Sequence, residues 1–103
     1  MIFIETTVFT RQVLANLDEQ EYRALQLYLA LDPNAGDVIP GSGGLRKVRW
    51  GLSSRGKRGG VRVIYFWRSA AHTLYLLLLY PKNERENLSP AELRQLRRLL
   101  LDH

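Results

Sequence analysis

Apolar positions along the chain follow two periods, and the switches between them mark the elements. IFIE at 2–5 alternates over a short span and reads as a strand. Thr6 or Thr7 can cap a brief helix that carries Val8, Phe9, Val13 and Leu14 at helical spacing. A second helix is better marked. Asp18 and Glu21 stand at capping-box spacing, and Leu17 and Tyr22 occupy the two staple positions. Tyr22, Leu25, Tyr28 and Leu29 then form an apolar stripe that Leu31 could extend, with Arg23, Gln26 and the acids elsewhere. Asp32-Pro33-Asn34 ends this helix, because the residue before a proline is pushed out of the helical region.

Residues 33–44, PNAGDVIPGSGG, read as a loop anchored by Val38 and Ile39. Three strands follow at 45–50, 61–68 and 73–80, the last two joined by a turn at 69–72 that is short enough for an antiparallel hairpin. LSSRGKRGG, basic and glycine-rich, connects the first two. In the final helix Ser89 is the cap, Pro90 takes the first helical position, Glu92 completes a capping box, and Leu88 with Leu93 makes a staple. Leu93, Leu96, Leu99 and Leu100 give that helix a core or partner face. The predicted fold is α+β: a small antiparallel sheet of about four strands packed with two N-terminal helices and one C-terminal helix, as one domain over 1–103.

Composition agrees with one globular core: 103 residues, 46% hydrophobic and 24% charged. The absence of cysteine excludes disulfides, thiolate metal sites and a cysteine nucleophile. MIFIETTVF lacks a basic n-region and a long apolar segment, and the most apolar stretch, 74–80, is far short of a bilayer span. A soluble, cytoplasmic chain with no membrane partner is expected.

Charge changes the picture more. Residues 1–37 carry a net −4 and residues 84–103 balance, whereas 38–83 hold Arg46, Lys47, Arg49, Arg55, Lys57, Arg58, Arg62, Arg68 and Lys82 without one acid, a net +9. Nine uncompensated cations repel one another unless a polyanion or an acidic partner meets them, and nucleic acid is the first candidate. Solvated strand faces explain scattered cations, but not a run this long with no carboxylate.

GSGGLRK at 41–47 is no phosphate loop, because Lys47 precedes Val48 in a strand instead of a Ser or Thr at a helix start. Strand alternation places Lys47 and Arg49 on one face and Arg46 with Val48 and Trp50 on the other. If the neighbouring strands pair through their connection, Arg62 joins Lys47 and Arg49 in a cationic cluster suited to phosphate, and able to stabilise a phosphoryl transition state. Periodicity by itself supports binding more than catalysis. His72 falls in a turn and His103 ends the chain, so paired-histidine chemistry is not expected; two histidines and no cysteine argue against zinc, and an acid-free segment argues against a metal-dependent nuclease. Any chemistry is left to Lys, Arg or Tyr, with no metal and no cofactor. Tyr65 and Tyr80 read as core aromatics with wet hydroxyls, Trp50 and Trp67 as packing, and Lys82 as a site candidate at the sheet margin.

The arrangement GLRKVRW, GKRGGVRVIYFW and LLLLYPKNE, together with ETTVF and DEQEYRALQLYLALDPNAGDVIPGSGGLRK, resembles the RelE/ParE toxin superfamily, most closely the HigB-like branch of RelE. The resemblance implies a type II toxin that inhibits translation by cutting mRNA in the ribosomal A site, on a small sheet flanked by helices. It implies Lys47, Arg49 and Arg62 as the residues that bind and activate the scissile phosphate, and directs attention to Lys57, Arg58 and Lys82. Arg46, Arg55 and Arg68 complete the expected RNA-binding set. Asn83 departs from RelE, which has an arginine there, and no tyrosine follows the last strand where RelE has a catalytic one. The implied reaction is attack by the substrate's own 2′-OH, leaving a cyclic phosphate, with Arg62 neutralising the phosphorane and Lys47 or Arg49 helping to deprotonate the hydroxyl or bind the backbone. The implied partners are mRNA, the ribosome and a cognate, HigA-like DNA-binding antitoxin. Two other readings stay open: a ParE-like gyrase poison, and a non-catalytic RNA or ribosome binder.

Overall fold

The computed structural model describes residues 1–52 and 60–101. Strand β1 (Ile2–Glu5) leads into helices α1 (Thr7–Asn16) and α2 (Glu19–Leu31). Strands β2 (Asp37–Val38), β3 (Arg46–Trp50), β4 (Val61–Arg68) and β5 (Thr73–Pro81) follow, and helix α3 (Pro90–Leu101) completes the order. The five strands form one sheet in the order β1-β5-β4-β3-β2.

This departs from the expected four antiparallel strands in two respects. β1 lies parallel to β5, pairing Ile2–Glu5 with Thr73–Leu76, and Asp37–Val38, expected as loop, pairs antiparallel with Arg46 and Lys47. A two-residue strand has no alternation to read, and edge pairing between distant segments leaves no local signal.

Each helix starts where its cap predicts. The Thr6 hydroxyl oxygen accepts from the Phe9 N–H, Asp18 and Glu21 form a reciprocal capping box, and Ser89 and Glu92 form another. α1 and α2 cover one sheet face through Phe9, Val13, Leu25 and Leu29, which pack on Val48, Val63, Tyr65, Leu74 and Leu76. α3 covers the other through Leu96 and Leu100, on Leu45, Ile64, Tyr75, Leu77 and Tyr80. β4 is consequently buried on both sides from Val61 to Tyr65, which is why it reads as a nearly continuous apolar run. Among the described residues no helix is long and apolar enough to cross a membrane.

The β4–β5 register slips between Ile64 and Tyr65, whose partners are Leu78 and Leu76. The extra residue, Leu77, turns toward α3 while Leu76 and Leu79 face α1 and α2. β1 stops opposite Leu76, and side chains take over the exposed edge of β5: the Thr6 hydroxyl donates to the Leu77 carbonyl and Gln12 Oε1 accepts from the Leu79 N–H.

Tyr65 is fully buried, yet its hydroxyl is not wet as expected. It donates to the Pro33 carbonyl at 2.8 Å and accepts from the Gly36 N–H at 2.9 Å, which ties the loop after α2 to the sheet. Gly36 allows this approach, since a Cβ there would lie 2.8 Å from the Tyr65 ring.

Candidate functional site

α3 packs on Leu45, Ile64, Tyr75, Leu77 and Tyr80, and the segment that enters it reaches the end of the same sheet face near Trp50 and Val61. On that end β3 presents Lys47 and Arg49, and β4 presents Arg62. Antiparallel pairing sets Arg49 directly opposite Arg62 and Lys47 opposite Ile64, while Tyr80 of β5 flanks Arg62 on its other side. Two like charges facing each other across a strand pair destabilise it. Arg62 adds a second cost, because its side chain is only 4% exposed and a buried guanidinium needs a partner.

The partner is Glu86, from the segment between β5 and α3. Arg62 Nη2 lies 3.3 Å from Glu86 Oε2 and Arg62 Nε lies 3.4 Å from Oε1. Arg49 Nη2 reaches Oε1 at 3.3 Å and Lys47 Nζ lies 3.9 Å from it. The backbone of the same residue is held as well: the Tyr80 hydroxyl donates to the Glu86 carbonyl at 3.1 Å and Lys47 Nζ does so at 3.4 Å. Lys47 Nζ also donates to Asn87 Oδ1 at 2.9 Å. Arg85, next to Glu86, stacks on the Tyr80 ring and pairs with Glu92 in the first turn of α3. The loop is therefore pinned from both ends.

These contacts set the protonation states. Hydrogen bonding from Arg62 is the largest influence on Glu86 and, with the charges of Arg62 and Lys47 and the Arg49 hydrogen bond, holds its carboxyl below the ordinary 4.5 against the opposing effect of burial. Burial pushes the Tyr80 hydroxyl up, so it stays protonated and acts as a donor. The product is three cations, one nearly buried and one 60% exposed, arranged about one anionic group at the surface. Such a seat accepts a phosphate oxygen as readily as a carboxylate.

Residues 6–101 match the family model described as the RelE toxin of the RelE/RelB toxin–antitoxin system. The chain belongs to the RelE toxin family. A free-state mutant of the E. coli toxin RelE shares the fold with a TM-score of 0.58 at 13% identity, over 82% of this chain and 86% of that one. The intact E. coli RelBE toxin–antitoxin complex matches with a TM-score of 0.57 at 12% identity, over 78% of this chain and 94% of that one.

Within this RelE-family toxin the other expected cations go elsewhere. Arg46 points to the α2 side, where its guanidinium donates to the Gly36 carbonyl at 2.6 Å and the Asn34 carbonyl at 3.2 Å and so braces the loop. Arg68 shares the face of Arg62, but six residues along β4, about 20 Å away. There it lies over the rings of Phe66 and Tyr75 and donates to the Tyr75 hydroxyl. Lys82 begins the turn after β5, its N–H bonded to the Gly60 carbonyl, with an exposed side chain outside the Glu86 cluster. Arg55, Lys57 and Arg58 lie outside the described residues, as does His103. His72 occupies the β4–β5 turn at φ 51° and packs edge-on against Trp67, far from the cluster.

Glu86 joins the cluster as well, an acid that a reading confined to Lys, Arg and Tyr chemistry leaves out. It lies outside the acid-free run, and its segment balances its own charges, so counting charge by segment hides it. The local signal was its place just before the Leu88-Ser89-Pro90 cap. A chain leaving β5 beside Arg62 and entering a helix on the same face must pass the basic end of the sheet.

Proposed function

We propose that this toxin is an endoribonuclease that inhibits translation by cutting mRNA in the ribosomal A site, without metal or cofactor. The observation that carries the reading is the convergence of Lys47, Arg49 and Arg62 on one anionic group. Those are the positions that the RelE resemblance assigns to the scissile phosphate. In the proposed reaction the 2′-OH attacks the adjacent phosphorus, a 2′,3′-cyclic phosphate remains, and the 5′-oxygen leaves. The phosphorane carries one more negative charge than the diester. Arg62, fixed and shielded, stabilises that charge, while Lys47 and Arg49 hold the non-bridging oxygens and the backbone. Arg55, Lys57, Arg58 and Lys82 would extend contact along the RNA or the ribosome by counterion release. Arg46 and Arg68, given their packing, serve the fold first.

The HigB-like motifs GLRKVRW and GKRGGVRVIYFW further support a cytoplasmic toxin neutralised by a cognate antitoxin of the HigA-like, DNA-binding kind. The E. coli RelBE complex is a precedent for such pairing in a protein of this fold. Primer extension on a defined message in a purified translation system tests the reading, with wild-type protein, Arg62→Ala and a reaction lacking ribosomes. The expected result is cuts only on translated message and none with the variant. Intact message with growth still arrested in cells would contradict it and favour a gyrase poison or a ribosome-blocking protein.

A further inference from the structure

Cleavage through a 2′-OH needs a group that accepts its proton. The described residues offer few. His72 sits at the far turn against Trp67, and the Tyr80 hydroxyl is protonated and donates to the Glu86 carbonyl. Lys47 Nζ is engaged as a donor, to Asn87 Oδ1 and to the Glu86 carbonyl. The Glu86 carboxylate is ionised already and is half-exposed toward the side from which RNA must approach. Its backbone carbonyl accepts from Tyr80 and Lys47, so a phosphate taking over the N–H groups of Arg49 and Arg62 would move the carboxylate aside without releasing the residue from the site. The displaced carboxylate then flanks the phosphate. The attacking 2′-oxygen has to lie there too, since near-attack geometry places it about 3 Å from phosphorus.

Resting on the ribonuclease reading, we propose that Glu86 is the general base of the reaction, its carboxylate taking the proton from the attacking 2′-OH. The O2′–P bond forms with the electron pair of that oxygen as the P–O5′ bond breaks. The departing 5′-oxygen takes a proton from water, and protonated Glu86 returns its own proton to solvent, so the site is restored. In the free protein the surrounding cations, Lys47 and Arg49 from β3 and Arg62 from β4, keep the carboxyl ionised. An arriving phosphate anion offsets part of their field and shifts the carboxyl toward the working pH, where a base is most effective.

The test is single-turnover cutting of A-site mRNA on purified ribosomes by wild type, Glu86→Gln and Glu86→Asp across pH 5–9. Alongside it, binding is measured to ribosomes programmed with an A-site codon carrying one 2′-deoxy nucleotide at the cut. Circular dichroism and melting confirm that each variant is folded. Glu86→Gln is expected to cut about 10²–10⁴-fold more slowly, to bind the deoxy codon at least as tightly as wild type, and to lose the acid-side fall in rate. Glu86→Asp is expected to keep that fall and part of the rate. Cutting by Glu86→Gln at or above the wild-type rate would overturn the proposal and leave Glu86 as a counter-ion in the phosphate seat. Equal losses of cutting and binding would also overturn it. Wild-type protein that cuts nothing refutes the ribonuclease reading itself, an outcome distinct from either.

Discussion

Arg49 and Arg62 face each other across β3 and β4 and touch the same carboxylate, yet alanine at the two positions should have very different effects. The difference is solvent. The Arg62 side chain is 4% exposed and that of Arg49 is 60% exposed. One extra negative charge about 3.5 Å from a cation is worth roughly 5 kcal/mol at an effective dielectric constant near 20, and only about 1 kcal/mol with the screening of bulk water. If the transition state gains one such charge, Arg62→Ala should slow single-turnover cutting by about 10³-fold or more, and Arg49→Ala by only about 5- to 10-fold. The smaller effect should shrink further as salt rises from low to physiological strength, whereas the larger should hardly change. The assay is the rate of mRNA cutting on programmed ribosomes, at saturating toxin, for both variants at two ionic strengths. Arg62→Lys supplies a control for packing, and it should recover only part of the loss because an ammonium lacks the fork that meets both carboxylate oxygens. An Arg49→Ala loss as large as that of Arg62→Ala, or one equally insensitive to salt, would refute the assignment of transition-state charge to the buried cation.

Other consequences concern stability. Tyr65→Phe leaves the Gly36 N–H and the Pro33 carbonyl without their buried partner and should cost about 1–3 kcal/mol, read as a melting temperature lowered by roughly 5–15 °C; an unchanged melting temperature would mean that the loop does not depend on this tie. Gly60→Ala places a Cβ 2.0 Å from the Trp50 carbonyl oxygen at φ 58°, so it should destabilise the protein by about 2 kcal/mol or more and disturb the start of β4 just before Arg62; wild-type melting and cutting would contradict this. Because the Glu86 carboxyl is depressed in the folded state, its contribution to stability is present above its ordinary value of 4.5 and is lost as pH falls through the lower folded value. The melting-temperature gap between wild type and Glu86→Gln should accordingly narrow on acidification below pH 4.5, and a gap that widens there would contradict the sign. Leu100→Ala empties part of the core beneath α3 and should cost about 2–5 kcal/mol by chemical denaturation.

The helix caps and the three long strands were legible because each carries its own local signature. Asp18 with Glu21, and Ser89 with Glu92, form the boxes that their spacing implies, and the alternation in 45–50 places Lys47 and Arg49 on one face. What the chain could not disclose locally depends on distant pairing: the parallel docking of β1 on β5, the two-residue strand at Asp37–Val38, and the register slip that turns both Leu77 and Leu78 toward α3. The same limit applies to the site. Alternation puts Arg62 on the face of Ile64 and Phe66, but only the register sets it opposite Arg49, and only the path from β5 to α3 brings Glu86 between them. Arg46 and Arg68 show the converse. Each counts as a cation in the sequence, but one braces a loop and the other stacks on aromatic rings.

The central claim, that the cluster built on Lys47, Arg49 and Arg62 directs a 2′-OH onto its neighbouring phosphate, is tested most directly by the ends of the cut RNA. End-group analysis of ribosome-bound message should find a 2′,3′-cyclic phosphate on the upstream fragment and a 5′-hydroxyl on the downstream one, with one 2′-deoxy nucleotide at the cut abolishing cleavage. A 5′-phosphate, or undiminished cutting of the deoxy message, would show that water and not the substrate's own hydroxyl is the nucleophile, and the account would be wrong.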